Sequence, residues 1–246
     1  MEGSEARAVR QRLESLARAG VNSLPRAGAR PAVPATSSPP LSRSPKQVAA
    51  AVSQPSPAAA PQDPLAVLRG EVAACTRCGE LAAGRTQTVF GAGRTDARLV
   101  FFGEAPGADE DSSGLPFVGR AGQLLTKIIE ACTLTRDDVY IMNVLKCRPP
   151  GNRPPQPDEV ANCRPFFERQ LEIIRPEFIC CLGASAARAL LRTEEPIGQL
   201  RGRWFEYGPA RVICTYHPSY LLRNPAAKRH VWDDMKILMA ALGVEL

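Results

Sequence analysis

Apolar and polar positions change period several times between residues 64 and 246, and the changes divide that stretch into strands and helices. Ala97-Arg98-Leu99-Val100-Phe101-Phe102 is a short apolar run of the kind that buried strands show, and residues 139–144, 177–182, 204–207 and 212–216 are runs of the same type. Between them the spacing turns helical. Leu124, Leu125, Ile128 and Ile129 share one face of a helix predicted over 119–132. A second is predicted over 157–174, with Pro157-Asp158 suited to its first turn and Pro176 just past its end. Further helices are predicted over 65–75, 184–191 and 226–242. Strands alternating with helices imply an α/β domain whose mainly parallel sheet is covered on both faces.

Residues 1–63 break this pattern. They contain no Phe, Tyr or Trp, and residues 25–64 hold ten of the 23 prolines, set among Ala and Ser. Such a segment buries too little apolar surface to offset the entropy of ordering it. The composition therefore predicts a disordered Pro/Ala-rich tail over 1–63 and one folded domain over 64–246. Val9, Leu13 and Leu16 share a face within residues 5–18, which predicts no more than a transient helix without a partner. The tail carries eight basic and four acidic residues, so it holds four of the six net positive charges and leaves the domain at about +2. This balance is compatible with a polyanionic partner, whose contact with the domain would have to be local. No apolar run approaches the ~20 residues of a membrane span, and the first seven residues lack the apolar core of a signal peptide. A cytoplasmic protein without a membrane partner is expected.

The candidate chemistry gathers where the apolar runs end. Phe101-Phe102-Gly103-Glu104-Ala105-Pro106-Gly107 closes the first run. Its two glycines and proline make a turn that brings backbone N–H groups close to a ligand, with the Glu104 carboxylate inside it. Tyr216-His217-Pro218-Ser219 closes the last run. Ligands of open α/β sheets bind at the carboxyl ends of the strands, so both turns are expected to build one pocket. Asn143 ends the strand over 139–144, where its amide suits a nucleobase edge, although position alone favours a loop cap. Phe117 precedes the helix over 119–132, as a stacking plate for a flat ligand or a hydrophobic staple. Leu221 and Leu222 follow the histidine turn, and one of the two is a candidate wedge into a base stack, packing onto the last helix being the alternative. Ser219 and Arg223 are candidate phosphate contacts.

The eight cysteines divide evenly. Cys132, Cys180, Cys181 and Cys214 sit inside apolar runs and read as small buried hydrophobes. Cys75 and Cys78 form a C-x-x-C pair, while Cys147 and Cys163 flank 15 residues that include a Pro-rich loop. Four such thiols suit an iron–sulfur cluster or zinc, and spacing alone leaves both open.

Together these residues resemble the family 4 uracil-DNA glycosylases, the iron–sulfur branch of the uracil-DNA glycosylase superfamily. The resemblance covers about residues 64–243. It rests on Gly103-Glu104-Ala105-Pro106-Gly107, on Leu115-Pro116-Phe117-Val118-Gly119-Arg120-Ala121-Gly122, on Asn143-Val144-Leu145-Lys146-Cys147-Arg148-Pro149-Pro150 and on His217-Pro218-Ser219-Tyr220-Leu221-Leu222-Arg223, in that order along the chain. It implies a three-layer α/β/α fold around a mainly parallel four-stranded sheet. It also implies a [4Fe–4S] cluster on Cys75, Cys78, Cys147 and Cys163, structural rather than redox-active. Phe117 matches the residue that stacks on uracil, Asn143 the amide that pairs with its edge, and His217 the histidine at its O2. Glu104 matches the acid of the first motif, and Glu110 is the candidate wall beside uracil C5. Gly103, Ala105 and Ser219 complete the implied substrate site.

The implied reaction is monofunctional hydrolysis of the N-glycosidic bond of a flipped-out uracil, in single- or double-stranded DNA, by a monomer. Simple hydrolysis, without a Schiff base to a lysine, is what the resemblance implies. Ala105 and the absence of any His before His217 argue against the covalent-complex branch of the superfamily, and Glu104 against the branch with a Gly-Leu-Ala-Pro first motif.

Overall fold

The computed structural model describes residues 63–245. The tail expected over 1–63 and the helix expected within 5–18 lie outside the described residues, apart from Asp63. The first helix is α1 (Pro64–Ala73). Asp63 caps it, its Oδ1 accepting from the N–H of Leu65 at 3.0 Å.

A short helix α2 (Gly79–Gly84) leads to strands β1 (Ala92–Gly93) and β2 (Leu99–Gly103). Then come α3 (Ala108–Ser113), α4 (Arg120–Ala131), β3 (Tyr140–Asn143), α5 (Pro157–Ile174), β4 (Phe178–Leu182) and α6 (Ala184–Leu191). The chain closes with α7 (Ile197–Leu200), β5 (Trp204–Tyr207), β6 (Ala210–Thr215), α8 (Pro218–Arg223) and α9 (Lys228–Leu242). Helix α5 runs between the residues predicted for it, because Pro157 opens it and Arg175, in the left-handed region at φ 52°, closes it ahead of Pro176.

The sheet corrects the expected four strands to six, in the order β1-β3-β2-β4-β6-β5. The four central strands are parallel, with Phe101 opposite Ile141 on one side and Cys180 on the other. Both edge strands are antiparallel. Strand β5 pairs backwards because Gly208 and Pro209 return the chain in a tight turn, Tyr207 facing Ala210. Strand β1 spans only two residues, too few to leave a period in the sequence.

Side-chain alternation along the strands sorts the core into two faces. Val100, Phe102, Met142, Cys181 and Cys214 meet residues of α1, α5 and α6, among them Leu68, Phe167 and Ala187. Leu99, Phe101, Ile141, Cys180 and Ile213 meet α4 and α9 through Leu125, Ile129, Met235 and Leu238. The result is a three-layer α/β/α arrangement. Cys132, Cys180, Cys181 and Cys214 are fully buried, as their apolar surroundings predict, and burial pushes the Cys132 thiol up to about 11. Among the described residues, no helix is long and apolar enough to cross a membrane.

Candidate active site

The sheet order reverses at β2, whose neighbours are β3 and β4. Open α/β sheets bind ligands at the carboxyl end of such a switch point. A cavity of about 260 Å³ opens there. Glu104, Ala105, Pro106 and Gly107 line it after β2, Asn143 at the end of β3, and His217 and Ser219 after β6. Phe117 and Glu110 close one side, and Pro149, Asn152 and Arg153 of the Pro-rich loop another. The two turns expected to share a pocket therefore do so.

Asn143 is 2% exposed and its Oδ1 has no hydrogen-bond partner. Buried polar atoms are rarely left unpaired, so this one marks a place where a ligand donor belongs. The strand end that carries it is braced from behind by the buried Lys146, whose Nζ donates to the Asn143 carbonyl at 2.8 Å. Gly103 lies beneath. A Cβ there would collide with Asn143 Oδ1 and the Phe117 ring, so only glycine lets the two recognition side chains meet over the end of β2.

Phe117 is buried and held in the left-handed region at φ 54°, rare for a bulky residue. Its ring centroid stands 5.6 Å from that of His217. The Phe117 carbonyl packs against Gly122, where a side chain would clash with it.

His217 caps α8, its Nδ1 accepting from the N–H of Ser219 at 3.1 Å, with Ser219 Oγ at 2.8 Å. A backbone N–H only donates, so Nδ1 carries no proton and Nε2 is the protonated nitrogen of the neutral ring. Burial, reinforced by the positive charge of Arg223, lowers the pKa of His217 to about 4. The imidazole is therefore neutral at physiological pH and holds one N–H donor at the cavity.

The acidic residues separate into two roles. Glu104 stands half-buried on the cavity wall. Glu110 opens toward the cavity, but its carboxylate is already engaged, with Oε2 accepting from Gly107 N–H at 3.0 Å and Oε1 from Val118 and Gly119 N–H at 2.8 and 2.9 Å. The Gly107 N–H, expected to face a ligand, is thus committed to Glu110. The acidic stretch around Glu110 is helix α3, with Asp109, Glu110 and Asp111 in its first turn, where the helix dipole favours carboxylates.

Leu221 is buried in the core beside Phe117 and Val231, which removes it as a wedge, whereas Leu222 is 39% exposed. Arg223 is exposed on the last turn of α8.

Cys75, Cys78, Cys147 and Cys163 belong to one core cluster. Cys147 and Cys163 are buried, with Cys75 and Cys78 packed against the same core cluster. Burial raises the Cys147 thiol, to which Cys75 and Cys78 both contribute, and raises that of Cys163 to about 11, with contributions from Cys147 and Cys78. Donors already point at the sulfurs: Arg85 Nη1 lies 3.0 Å from Cys147 Sγ and Asn162 Nδ2 3.5 Å from Cys78 Sγ. Among the described residues, no three His, Cys, Asp or Glu side chains are grouped so as to hold a metal ion. The donor set nonetheless has the chemistry of an iron–sulfur ligand set, four thiols with N–H groups aimed at sulfur. Arg153 ties the loop between Cys147 and Cys163 to the rest, pairing with Glu159 at 2.6 Å and Glu80 at 2.8 Å.

Comparison with known proteins matches residues 90–236 to the uracil DNA glycosylase superfamily, an α/β class, as this domain is. A type-4 uracil-DNA glycosylase of Thermotoga maritima is 45% identical over 174 residues, covering 69% of this chain and 90% of the relative. One from Archaeoglobus fulgidus is 44% identical over 174 residues, covering 68% and 87%. A type-5 uracil-DNA glycosylase of Pyrobaculum aerophilum is 34% identical over 149 residues, covering 54% and 66%. The chain belongs to the type-4 uracil-DNA glycosylases.

Proposed function

We propose that this chain excises uracil from DNA by hydrolysis of the N-glycosidic bond, leaving an abasic site for base excision repair. The observation that carries the reading is the meeting of Asn143, Phe117 and a neutral His217 around one base-sized cavity. A base inside a duplex is out of reach, so the nucleotide is flipped into the cavity. There Phe117 stacks on the ring and the unpaired Asn143 amide reads its edge. Bond cleavage leaves negative charge on uracil and positive charge on the sugar. The Nε2–H of His217 donates to the uracil carbonyl where that charge collects, and one such donor lowers a barrier by roughly 3 kcal/mol. A neutral donor suits this task, because it stabilises the anion without surrendering a proton to it. Glu104 faces the sugar side, where its carboxylate stabilises the developing cation or orients the attacking water.

Glu110 walls the cavity beside C5, and Ala105 leaves room for the base. Leu222 is the wedge that fills the gap in the stack, with Ser219 and Arg223 on the flanking phosphates. The enzyme acts as a cytoplasmic monomer on single- or double-stranded DNA. Cys75, Cys78, Cys147 and Cys163 would hold a [4Fe–4S] cluster, which when bound supplies rigidity to the Pro-rich loop at the cavity rim. Protein purified without oxygen is expected to be yellow-brown with about four irons per chain. Stoichiometric zinc without iron would overturn the cluster assignment. The activity itself is tested by release of uracil from U:G and U:A duplexes and from a single strand. A purified, folded chain that releases none from any of the three would end the proposal.

A further inference from the structure

We propose that Arg136 is a positioning residue for the base-stacking plate, and that with Glu110 it holds Phe117 in its left-handed conformation. The inference rests on the glycosylase reading above. Arg136 lies in the loop after α4 and does not line the cavity, and no sequence motif points to it.

The contacts explain the choice of residue. Arg136 Nη2 donates to the Pro116 carbonyl at 2.7 Å and Nη1 to the Phe117 carbonyl at 3.1 Å, with Thr126 Oγ1 at 3.2 Å from the same nitrogen. The next two residues are gripped from the other end, since Val118 and Gly119 donate their N–H groups to Glu110 Oε1. A cation thus holds the two carbonyls on one side of the turn and an anion the two amides on the other. Burial lowers the Arg136 pKa from its ordinary value, and the nearby carboxylates of Asp137 and Glu110 oppose that shift. Phe117, at φ 54°, sits between the cation and the anion. Left to itself a phenylalanine leaves this region, because its Cβ crowds the backbone there. Rotation of the peptide would swing the ring away from Gly103, Asn143 and His217, the groups it has to face. A planar, bidentate donor such as guanidinium can hold two successive carbonyls, which an ammonium on a flexible stem does less well.

The test is a double-mutant cycle on single-turnover uracil release from a U:G duplex, run with inhibition by free uracil as a second readout. Arg136→Gln is expected to slow release roughly 10- to 100-fold, since small misplacements of a positioning group cost that much, and to weaken free-uracil inhibition by a similar factor. Arg136→Lys should recover part of both. In the Phe117→Ala background, Arg136→Gln should add less than about twofold, because the group it positions is gone. If Arg136→Gln slows the Phe117→Ala enzyme as much as the parent, Arg136 acts by some other route and the proposal fails. It fails also if Arg136→Gln leaves rate and inhibition unchanged. Should Arg136→Gln not fold, Arg136→Lys, which keeps the charge and loses the planar fork, is carried through the same cycle. A parent chain without uracil release would refute the glycosylase reading itself, whereas an active parent with an indifferent Arg136 refutes only this one.

Discussion

The two ends of the four parallel strands treat their polar groups in opposite ways. At the amino end, Arg98 meets Glu177 through two bonds of 2.7 and 2.8 Å and donates to the Leu242 carbonyl, and Arg94 pairs with Asp96. At the carboxyl end, Asn143 Oδ1 is buried without a partner, His217 is kept uncharged and Phe117 is held in a region its side chain disfavours. The larger groove, about 530 Å³, opens elsewhere, between the end of α5 and the β5–β6 turn. Volume therefore does not mark the working end. Unpaired or strained groups occur elsewhere too, as at Gln170 Oε1 and Arg175; what singles out the carboxyl end is that Asn143, Phe117 and His217 meet around one cavity.

The largest effects should come from filling the carboxyl end. Asn143→Leu keeps the branched shape and removes the orphaned oxygen. It is expected to lower single-turnover uracil release by about 10²- to 10³-fold while the folded state is no less stable, since an unpaired buried polar atom costs about 1–3 kcal/mol. His217→Ala should lose activity on the same scale, the size expected for one donor to a developing oxyanion. Rates and urea midpoints measured together decide it: an Asn143→Leu enzyme that is both active and destabilised would make Asn143 a structural amide like any other.

A smaller effect separates the ends by pH. His217 has a folded pKa of about 4 against a usual value of 6.5. As pH falls below about 6.5 the unfolded chain takes up a proton that the folded chain refuses, so stability falls until about pH 4, where the folded protein takes it up too. The loss from this one group is at most about 3 kcal/mol, and less to the extent that cavity water screens the ring. Urea unfolding at pH 7 and pH 4.5 should show a steeper loss in the parent than in His217→Asn. Equal losses would mean that the imidazole titrates normally. Catalysis should hold its rate well below pH 6.5, as a donor already neutral has nothing to lose there.

Much of this was legible in the sequence. The central strands and α5 follow from period and prolines, and the ordered turns after β2, β3 and β6 identified the cavity. What escaped depends on neighbours distant in the chain. Leu221 and Leu222 are adjacent and alike, and only the rotation of α8 sends the first into the core and leaves the second outside. That helix was not foreseen, because its cap is His217, an unusual capping residue. Glu110 was legible as a wall, but not the helix whose first turn holds the acidic stretch after Gly107. Arg136 lies in Thr135-Arg136-Asp137-Asp138, which looks like any polar turn. Its partners are 19 and 20 residues away.

Glu110 gives a finer test of the carboxyl end. It walls the cavity and clamps the Phe117 turn, so its removal should show two consequences. Glu110→Gln keeps the bulk and is expected to slow uracil release modestly, about tenfold, by weakening the grip on Val118 and Gly119 N–H. Glu110→Ala opens the wall as well, and should release measurable thymine from a T:G mismatch where the parent releases none. If Glu110→Ala excises uracil normally and leaves thymine untouched, Glu110 neither walls C5 nor sets the turn.

The smallest effect belongs to the amino end. Arg98→Gln breaks the pair with Glu177, in which both side chains are more than half exposed. Exposed pairs are screened by water and hold two long side chains at an entropic cost. The Arg98 bond to the Leu242 carbonyl goes with it, but that carbonyl ends α9 near the surface, where water can replace the donor. Uracil release should be unchanged, and Tm should move by no more than about 4 °C. Raising the salt concentration should shrink the difference between parent and variant further. A fall in activity comparable to that of Asn143→Leu would show that the two ends are coupled through β2 and β4, which Arg98 and Glu177 precede. The contrast between a saturated end and a working end would then describe pairing alone and not function.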